Sequence, residues 1–204
     1  MDQYLKNQDL NFINSFLHSR RYSFVIKNII NYQITRKNSP FKIFDIGCGH
    51  CKIYNYLKQT NLDFEYYGVE PTKEYFNYSF KKYSNNKNFH IFNDLAENII
   101  IKYFDIDYYI ALESLEHIPE RIVYELIQQI ANSKFKSFFC SFPNELGPSI
   151  LIKNFGSFLM GYKRYKEYTI KETLNSLFFR TLKVPPHNTT HRGFDYRVLM
   201  HNIY

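Results

Sequence analysis

The stretch FKIFDIGCGHCKI, residues 41–53, decides the fold. Phe41 to Ile46 is a short, mainly apolar run that stops at Gly47-Cys48-Gly49. This is the pattern of a buried strand running into a tight turn, and helical spacing resumes from Ile53 to Lys58. A glycine turn at the carboxyl end of a strand lets backbone approach a ligand closely, because no side chain blocks it and unusual dihedrals are open. A nucleotide-like ligand is therefore expected at that turn.

The flanking sequence repeats the alternation. Strands are expected at Phe64 to Glu70, Asn88 to Phe92, Asp107 to Leu112 and Phe135 to Phe142. Between them lie a helix from after Thr72 to about Tyr83 and another from Pro119 to Ala131, with Ile122, Leu126 and Ile130 on one face. Such alternation predicts an α/β fold: a Rossmann-like, doubly wound, mostly parallel sheet with helices on both faces. Residues 1–38 read as one or two N-terminal helices, a lid or cap that precedes the core instead of belonging to it, and residues 39–204 form the main domain. Beyond Gly147 the pattern gives a helix over Ile150 to Met160, a helix over Thr169 to Leu177 with Thr169 as N-cap, and a loop over Pro185 to Arg192.

The composition agrees with one globular domain. The chain has 204 residues, of which 45% are hydrophobic and 22% charged, with 7 Gly and 7 Pro. That balance excludes disorder and leaves no room for two full enzyme domains. The 19 Tyr and 20 Phe, with no Trp, accompany abundant Lys, Asn and Ile, a bias typical of an AT-rich genome, so the aromatics are discounted as a functional clue. The net charge of +7 suits polyanions at moderate salt, but the basic residues are scattered instead of blocked. Cys48, Cys51 and Cys140 form an odd set with no secretory leader upstream, so reduced thiols and a cytoplasmic location are expected. No apolar run approaches the ~18 residues of a membrane span.

Two carboxylates extend the glycine turn into a site. Glu70 ends the second strand about 20 residues on, where it can accept hydrogen bonds from both ribose hydroxyls of an adenosine ligand. Asp94 follows the third strand, within reach of an adenine amino group. A nicotinamide dinucleotide fits less well. Its pyrophosphate needs a third glycine where Gly47-Cys48-Gly49-His50-Cys51-Lys52 has none, whereas S-adenosylmethionine carries no phosphate.

FKIFDIGCGHCKI, YYGVEPTKEYF, NDLAENI and IALESLEHI together resemble the successive motifs of the class I S-adenosylmethionine-dependent methyltransferases, over roughly residues 40–145. The resemblance implies that Asp45, Gly47, Cys48 and Gly49 line the methionine and ribose side of the cofactor. Glu70 with Pro71 would hold the ribose, Asp94 with Leu95 would frame the adenine, and Glu113 would complete the cofactor set. Cys51 departs from the family, which often has a glycine there. The chain also stops after HRGFDYRVLMHNIY without the two closing strands usual in the family, so three outcomes are open: a sheet shortened to about five parallel strands, an irregular edge supplied by the last residues, or a truncated product.

Methyl transfer is an in-line displacement from a sulfonium, so its chemistry needs an aligned acceptor and, for a hydroxyl, a base. His117 and His191 are the candidates for acid/base work or acceptor orientation. Glu113, Glu116 and His117 lie within what reads as one helical turn after the fourth strand, and with His191, or less well His187, they can converge on a divalent metal. That segment is similar to the metal site of the small-RNA 2′-O-methyltransferases, as Phe142-Pro143-Asn144-Glu145 is to their Pro-Asn segment. It is also similar to the Leu-Glu-His-Ile segment of small-molecule and sugar methyltransferases that bind no metal. His191 has three readings: a base, a metal ligand, or a loop histidine bonded to Asp195. Arg192, Asp195, Tyr196 and Arg197 either line an acceptor pocket or begin a helix.

The function expected is S-adenosylmethionine-dependent O-methylation of a small molecule or of a glycan or lipid precursor. The alternatives are a metal-dependent RNA 2′-O-methyltransferase and a truncated, catalytically silent cofactor-binding module.

Overall fold

A computed structural model describes residues 12–35, 40–99, 105–143, 146–159, 168–180 and 195–197. In chain order the elements are α1 (Phe12–Thr35), β1 (Phe41–Ile46), α2 (Lys52–Leu57), β2 (Phe64–Val69), α3 (Lys73–Tyr83) and β3 (Phe89–Phe92). They continue with α4 (Ala96–Ile99), β4 (Tyr108–Leu112), a 3-10 turn (Leu115–His117), α5 (Glu120–Ala131), β5 (Ser137–Ser141), α6 (Ser149–Leu159) and α7 (Ile170–Leu177). The chain divides into two compact units, Met1–Leu112 with Gln129–Ser141, and Glu113–Gln128 with Phe142–Tyr204.

The first unit holds the whole sheet. Its five strands run in the order β3-β2-β1-β4-β5, and every pairing is parallel. The expected Rossmann-like sheet is therefore present. Chain order reverses between β1 and β4, the switch point at which ligands of such sheets bind beyond the strand ends. The central strands β1 and β4 are buried almost throughout, whereas the edge strand β5 is mostly half-buried, with Cys140 exposed. This gradient follows from position, since only inner strands are covered on both faces.

Helix α1 corrects the expectation that the N-terminal segment stands apart from the core. Over the described residues 12–35 it is a helix, and Val25, Ile26 and Ile29 are buried in the same cluster as Phe41, Ile43 and Tyr108. Spaced by 1, 3 and 4 positions, these three share one helical face, the stripe that a helix lays on a sheet. The aromatic bias also finds its place there. Tyr54 packs against Phe64, Tyr66, Tyr83 and Phe89 at centroid distances of 4.7–5.9 Å. Its hydroxyl donates to Asn88 Oδ1 at 3.1 Å, so the buried phenol is satisfied.

In the second unit, Gly147 N donates to Ser176 O at 3.0 Å, tying the start of α6 to the end of α7. Ile150 and Tyr168 form a small core there, with Leu177 packed against it. Thr169 caps α7 as expected, in a reciprocal capping box with Glu172.

Candidate cofactor and acceptor site

The site in the first unit begins with backbone. Gly47 and Gly49 take φ of 66° and 52°, and Cys51, the N-cap of α2, takes 53°. The glycines adopt that region at no steric cost, but Cys51 does so against its Cβ. The loop is fastened on several sides. Cys48 N donates to Val69 O at 3.1 Å, and Cys51 N to Cys48 O at 2.9 Å. Ser79 Oγ donates to Gly49 O at 3.2 Å. The ring of His50 lies 4.7 Å from Tyr75 and 4.9 Å from Tyr78, residues one turn apart on α3. A Cβ placed on Gly49 would meet nothing within 4 Å, so the turn faces open space where a ligand can come against main chain.

Glu70 follows β2 and is buried, with 5% of its surface exposed. Its Oε2 accepts from Gly49 N and its Oε1 from Thr72 N, each at 2.8 Å. The carboxylate is thus aimed by two backbone amides, one from the glycine turn and one from the start of α3. Each carboxylate oxygen has two acceptor positions, so both retain capacity for a hydroxyl. Asn93 clasps the same corner, donating from Nδ2 to Glu70 O at 2.8 Å and Pro71 O at 3.0 Å.

Asp45 pairs with Gly68 in the β1–β2 register. Its Oδ2 accepts from Tyr66 Oη at 2.6 Å, a short charge-assisted bond in a buried setting. Burial pushes the Asp45 carboxyl up to about 7, the Tyr66 bond opposes that, and the Glu70 charge adds to it. Tyr66, Gly68 and Glu70 lie on one face of β2 by the two-residue period of a strand. Asp94 Oδ1 accepts from Leu95 N at 2.7 Å and Asn98 Nδ2 at 2.8 Å, which fixes it at the start of α4. Leu95 is exposed.

The segment after β4 belongs to the second unit and differs from its expected form. Glu113 is not part of a helical turn; it takes a left-handed φ of 56°, and the 3-10 turn starts only at Leu115. Glu116 is half-buried, with both carboxylate oxygens shielded from solvent, and His117 is exposed. Ser114 Oγ is buried without a hydrogen-bond partner among the described residues. No cluster of three or more His, Cys, Asp and Glu able to hold a metal occurs among the described residues. His187, His191, Arg192, Asn144 and Glu145 lie outside them. Asp195 is engaged by Arg197, whose Nε donates to Oδ1 at 2.9 Å and Nη2 to Oδ2 at 2.7 Å. No helix among the described residues is long and apolar enough to cross a membrane.

Sequence reasoning missed Tyr66, Thr72, Ser79 and Asn93. Tyr66 alone carried a signal: it stands two residues before Gly68, the register partner of Asp45, and so on the face of Glu70. Thr72 acts through its backbone N–H, and Ser79 and Asn93 through side chains that donate to backbone carbonyls, partners that residue types do not reveal.

No family model matches the chain, and no curated protein does. Solved structures do. The small RNA methyltransferase HEN1 is similar at 16% identity and a TM-score of 0.60, over 91% of this chain and 21% of that one. The methyltransferase domain of a bacterial protein, CtHen1-CN, is 14% identical with a TM-score of 0.51, over 63% of this chain and 67% of its own. WbdD gives 14% and 0.51, over 63% of this chain and 32% of its own. The chain spans only about a fifth of HEN1 and a third of WbdD. At these identities the likeness establishes the fold alone, the Rossmann-like α/β fold that this chain has in common with those structures.

Proposed function

We propose that this chain is a methyltransferase that takes its methyl group from S-adenosylmethionine and delivers it to an oxygen. One observation carries the reading: the Glu70 carboxylate is clamped between the Gly49 and Thr72 amides, beside a glycine turn that opens to solvent. A solvated surface glutamate has no reason to be 95% buried on two amides; one that must present fixed acceptors to a diol does.

The residues suit the cofactor chemically. It brings two ribose hydroxyls, an adenine, a methionine ammonium and a sulfonium, with no phosphate. Glu70 and Pro71 would receive the ribose, Asp94 and Leu95 the adenine edge and face. Asp45, Gly47, Cys48 and Gly49 would receive the methionine portion, and Glu113 is assigned to the cofactor set with them. When bound, the sulfonium supplies an electrophilic methyl group. The protein's own task is to orient the acceptor and take up its proton, which we assign to His117 and His191.

The favoured acceptor is a small molecule or a glycan or lipid precursor. A second reading is RNA 2′-O-methylation with a metal held by Glu113, Glu116, His117 and His191. It is supported by the likeness to HEN1 over nine-tenths of this chain and by the +7 charge.

Calorimetric titration with S-adenosylhomocysteine tests the proposal, repeated after chelation and after adding back Mg²⁺, Mn²⁺ or Zn²⁺, with metal content measured on the same sample. Binding without stoichiometric metal supports the small-molecule reading, and binding with retained metal the RNA reading. Binding with no transfer to either acceptor class identifies a silent module. Absence of binding refutes the cofactor assignment.

A further inference from the structure

The glycine turn carries a pair of thiols that methyl transfer does not use. Cys48 and Cys51 are free, and Cys51 is fully buried while Cys48 is partly accessible. Their sulfurs lie 3.6 Å apart. The bond from Cys51 N to Cys48 O closes a four-residue turn, and such turns hold their end Cα atoms within about 7 Å. A disulfide needs Cα atoms roughly 4.4–6.8 Å apart and sulfurs at about 2.05 Å. The backbone is therefore already suited, and the sulfurs must close by only about 1.5 Å.

The seat of Cys48 is specific. A Cβ on Gly68 would come within 2.8 Å of Cys48 Sγ, so the sulfur fills the space that glycine leaves on β2. Gly49, between the two cysteines, is bonded through N to Glu70 and through O to Ser79. Closing the sulfurs draws Cys48 Sγ off its seat over Gly68 and ties the side chains on either side of Gly49, so the strain of closure falls on the residue that Glu70 and Ser79 hold.

We propose that Cys48 and Cys51 form a dithiol modification site, which closes to a disulfide by exchange with small-molecule disulfides of the glutathione type and thereby weakens cofactor binding. The Cys48 sulfur attacks one sulfur of the reagent and displaces a first thiol. Cys51 then attacks the Cys48 side of the mixed disulfide and displaces a second. The protein gives up two hydrogens and the reagent becomes two thiols, so electrons and atoms balance. Burial, reinforced by Cys51, Asp45 and Glu70, pushes the Cys48 thiol well above its usual range. The attacking thiolate is accordingly scarce at neutral pH, and exchange accelerates in alkaline buffer. The coupling to cofactor rests on the function proposed above; the disulfide itself does not.

The test equilibrates the full chain with graded mixtures of reduced and oxidised glutathione. Intact mass and thiol content are read, and the reduced and oxidised forms are titrated with S-adenosylhomocysteine. Wild type and Cys140→Ser are expected to lose the mass of two hydrogens. Cys48→Ser and Cys51→Ser, checked for folding by circular dichroism, are expected not to. The oxidised form should bind S-adenosylhomocysteine about tenfold more weakly or worse, a free-energy change of roughly 1.4 kcal/mol. A glutathione adduct that never closes in wild type overturns the site. Equal affinity of the two forms overturns the coupling alone. A reduced protein that binds no S-adenosylhomocysteine overturns the coupling and the cofactor reading together, while the mass shift still decides the disulfide.

Discussion

Replacing Glu70 with Gln separates its two duties. The carboxylate accepts from Gly49 N and Thr72 N through different oxygens, and glutamine keeps only one of those oxygens. The other amide then faces an NH₂ group, so one charge-assisted bond is lost and a buried N–H goes unmet. A hydrogen bond to a charged group is worth about 1.5–3 kcal/mol, and an unsatisfied buried group costs about 1–3 kcal/mol. Because these overlap, Glu70→Gln should destabilise the fold by about 2–4 kcal/mol, read as a lower urea midpoint at unchanged slope. The variant also loses an acceptor for the ribose, so S-adenosylhomocysteine affinity should fall about tenfold to a hundredfold, or roughly 1.4–2.8 kcal/mol. Calorimetry well below the unfolding midpoint measures this on the folded protein. An unchanged midpoint would refute the amide clamp. A lowered midpoint with unchanged affinity would keep the clamp and remove the ribose role.

Three further perturbations follow from the same geometry. Asp45 is held near 7 in the fold against an ordinary value of 3.8, so its native form binds the extra proton. Its contribution to stability is fully present below pH 4 and is lost as pH rises toward 7, and Asp45→Asn should flatten that part of the stability–pH curve in urea melts. Gly68→Ala puts a Cβ 2.8 Å from Cys48 Sγ and 3.0 Å from a Tyr66 ring carbon. It should cost about 1–3 kcal/mol, and a double-mutant cycle with Cys48→Ala should recover part of the loss if the sulfur is the obstacle. Glu113→Gly removes a left-handed strain of about 1–2 kcal/mol. It should leave the melting temperature unchanged or raise it while abolishing methyl transfer, and retained transfer would remove Glu113 from the site.

The fold was legible because its signals are local. The run Phe41 to Ile46 ending in glycines can hardly be other than a buried strand and turn, and each later strand is an apolar run bounded by breakers. The packing of helix α1 is not legible in the same way, because apolar residues at helical spacing say that a face is buried and not against what. The turn after β4 departs from the expected helical form because Glu113 takes a positive φ that glycine, and not glutamate, advertises. Glu70 stands out in the sequence by its strand-end position, but its amide partners are hidden, since every residue except proline has the same N–H. Tyr66 was set aside with the general aromatic excess. Composition alone does not separate the Tyr that bonds Asp45 from those, such as Tyr54, whose rings pack in the core away from that carboxylate.

The Gly47–Cys51 turn is held on several sides by the chain's own groups, and this has an energetic consequence. Left-handed residues at 47, 49 and 51 would make an isolated segment expensive to order, because each fixed backbone costs about 1–2 kcal/mol in entropy. Here that ordering belongs to folding: Val69 O, Ser79 Oγ, Glu70 and the Tyr75–Tyr78 pair each hold one residue of the turn. A ligand docking on it then loses little affinity to loop ordering. Hydrogen exchange gives the measurable form of this argument. The Gly49 amide, donating to a buried carboxylate, should be protected in the free protein to a degree comparable with β1 amides, and added S-adenosylhomocysteine should raise its protection only through overall stabilisation. If Gly49 exchanges rapidly until ligand is added, the turn is ordered by binding, and Glu70 is a consequence of occupancy instead of its preparation.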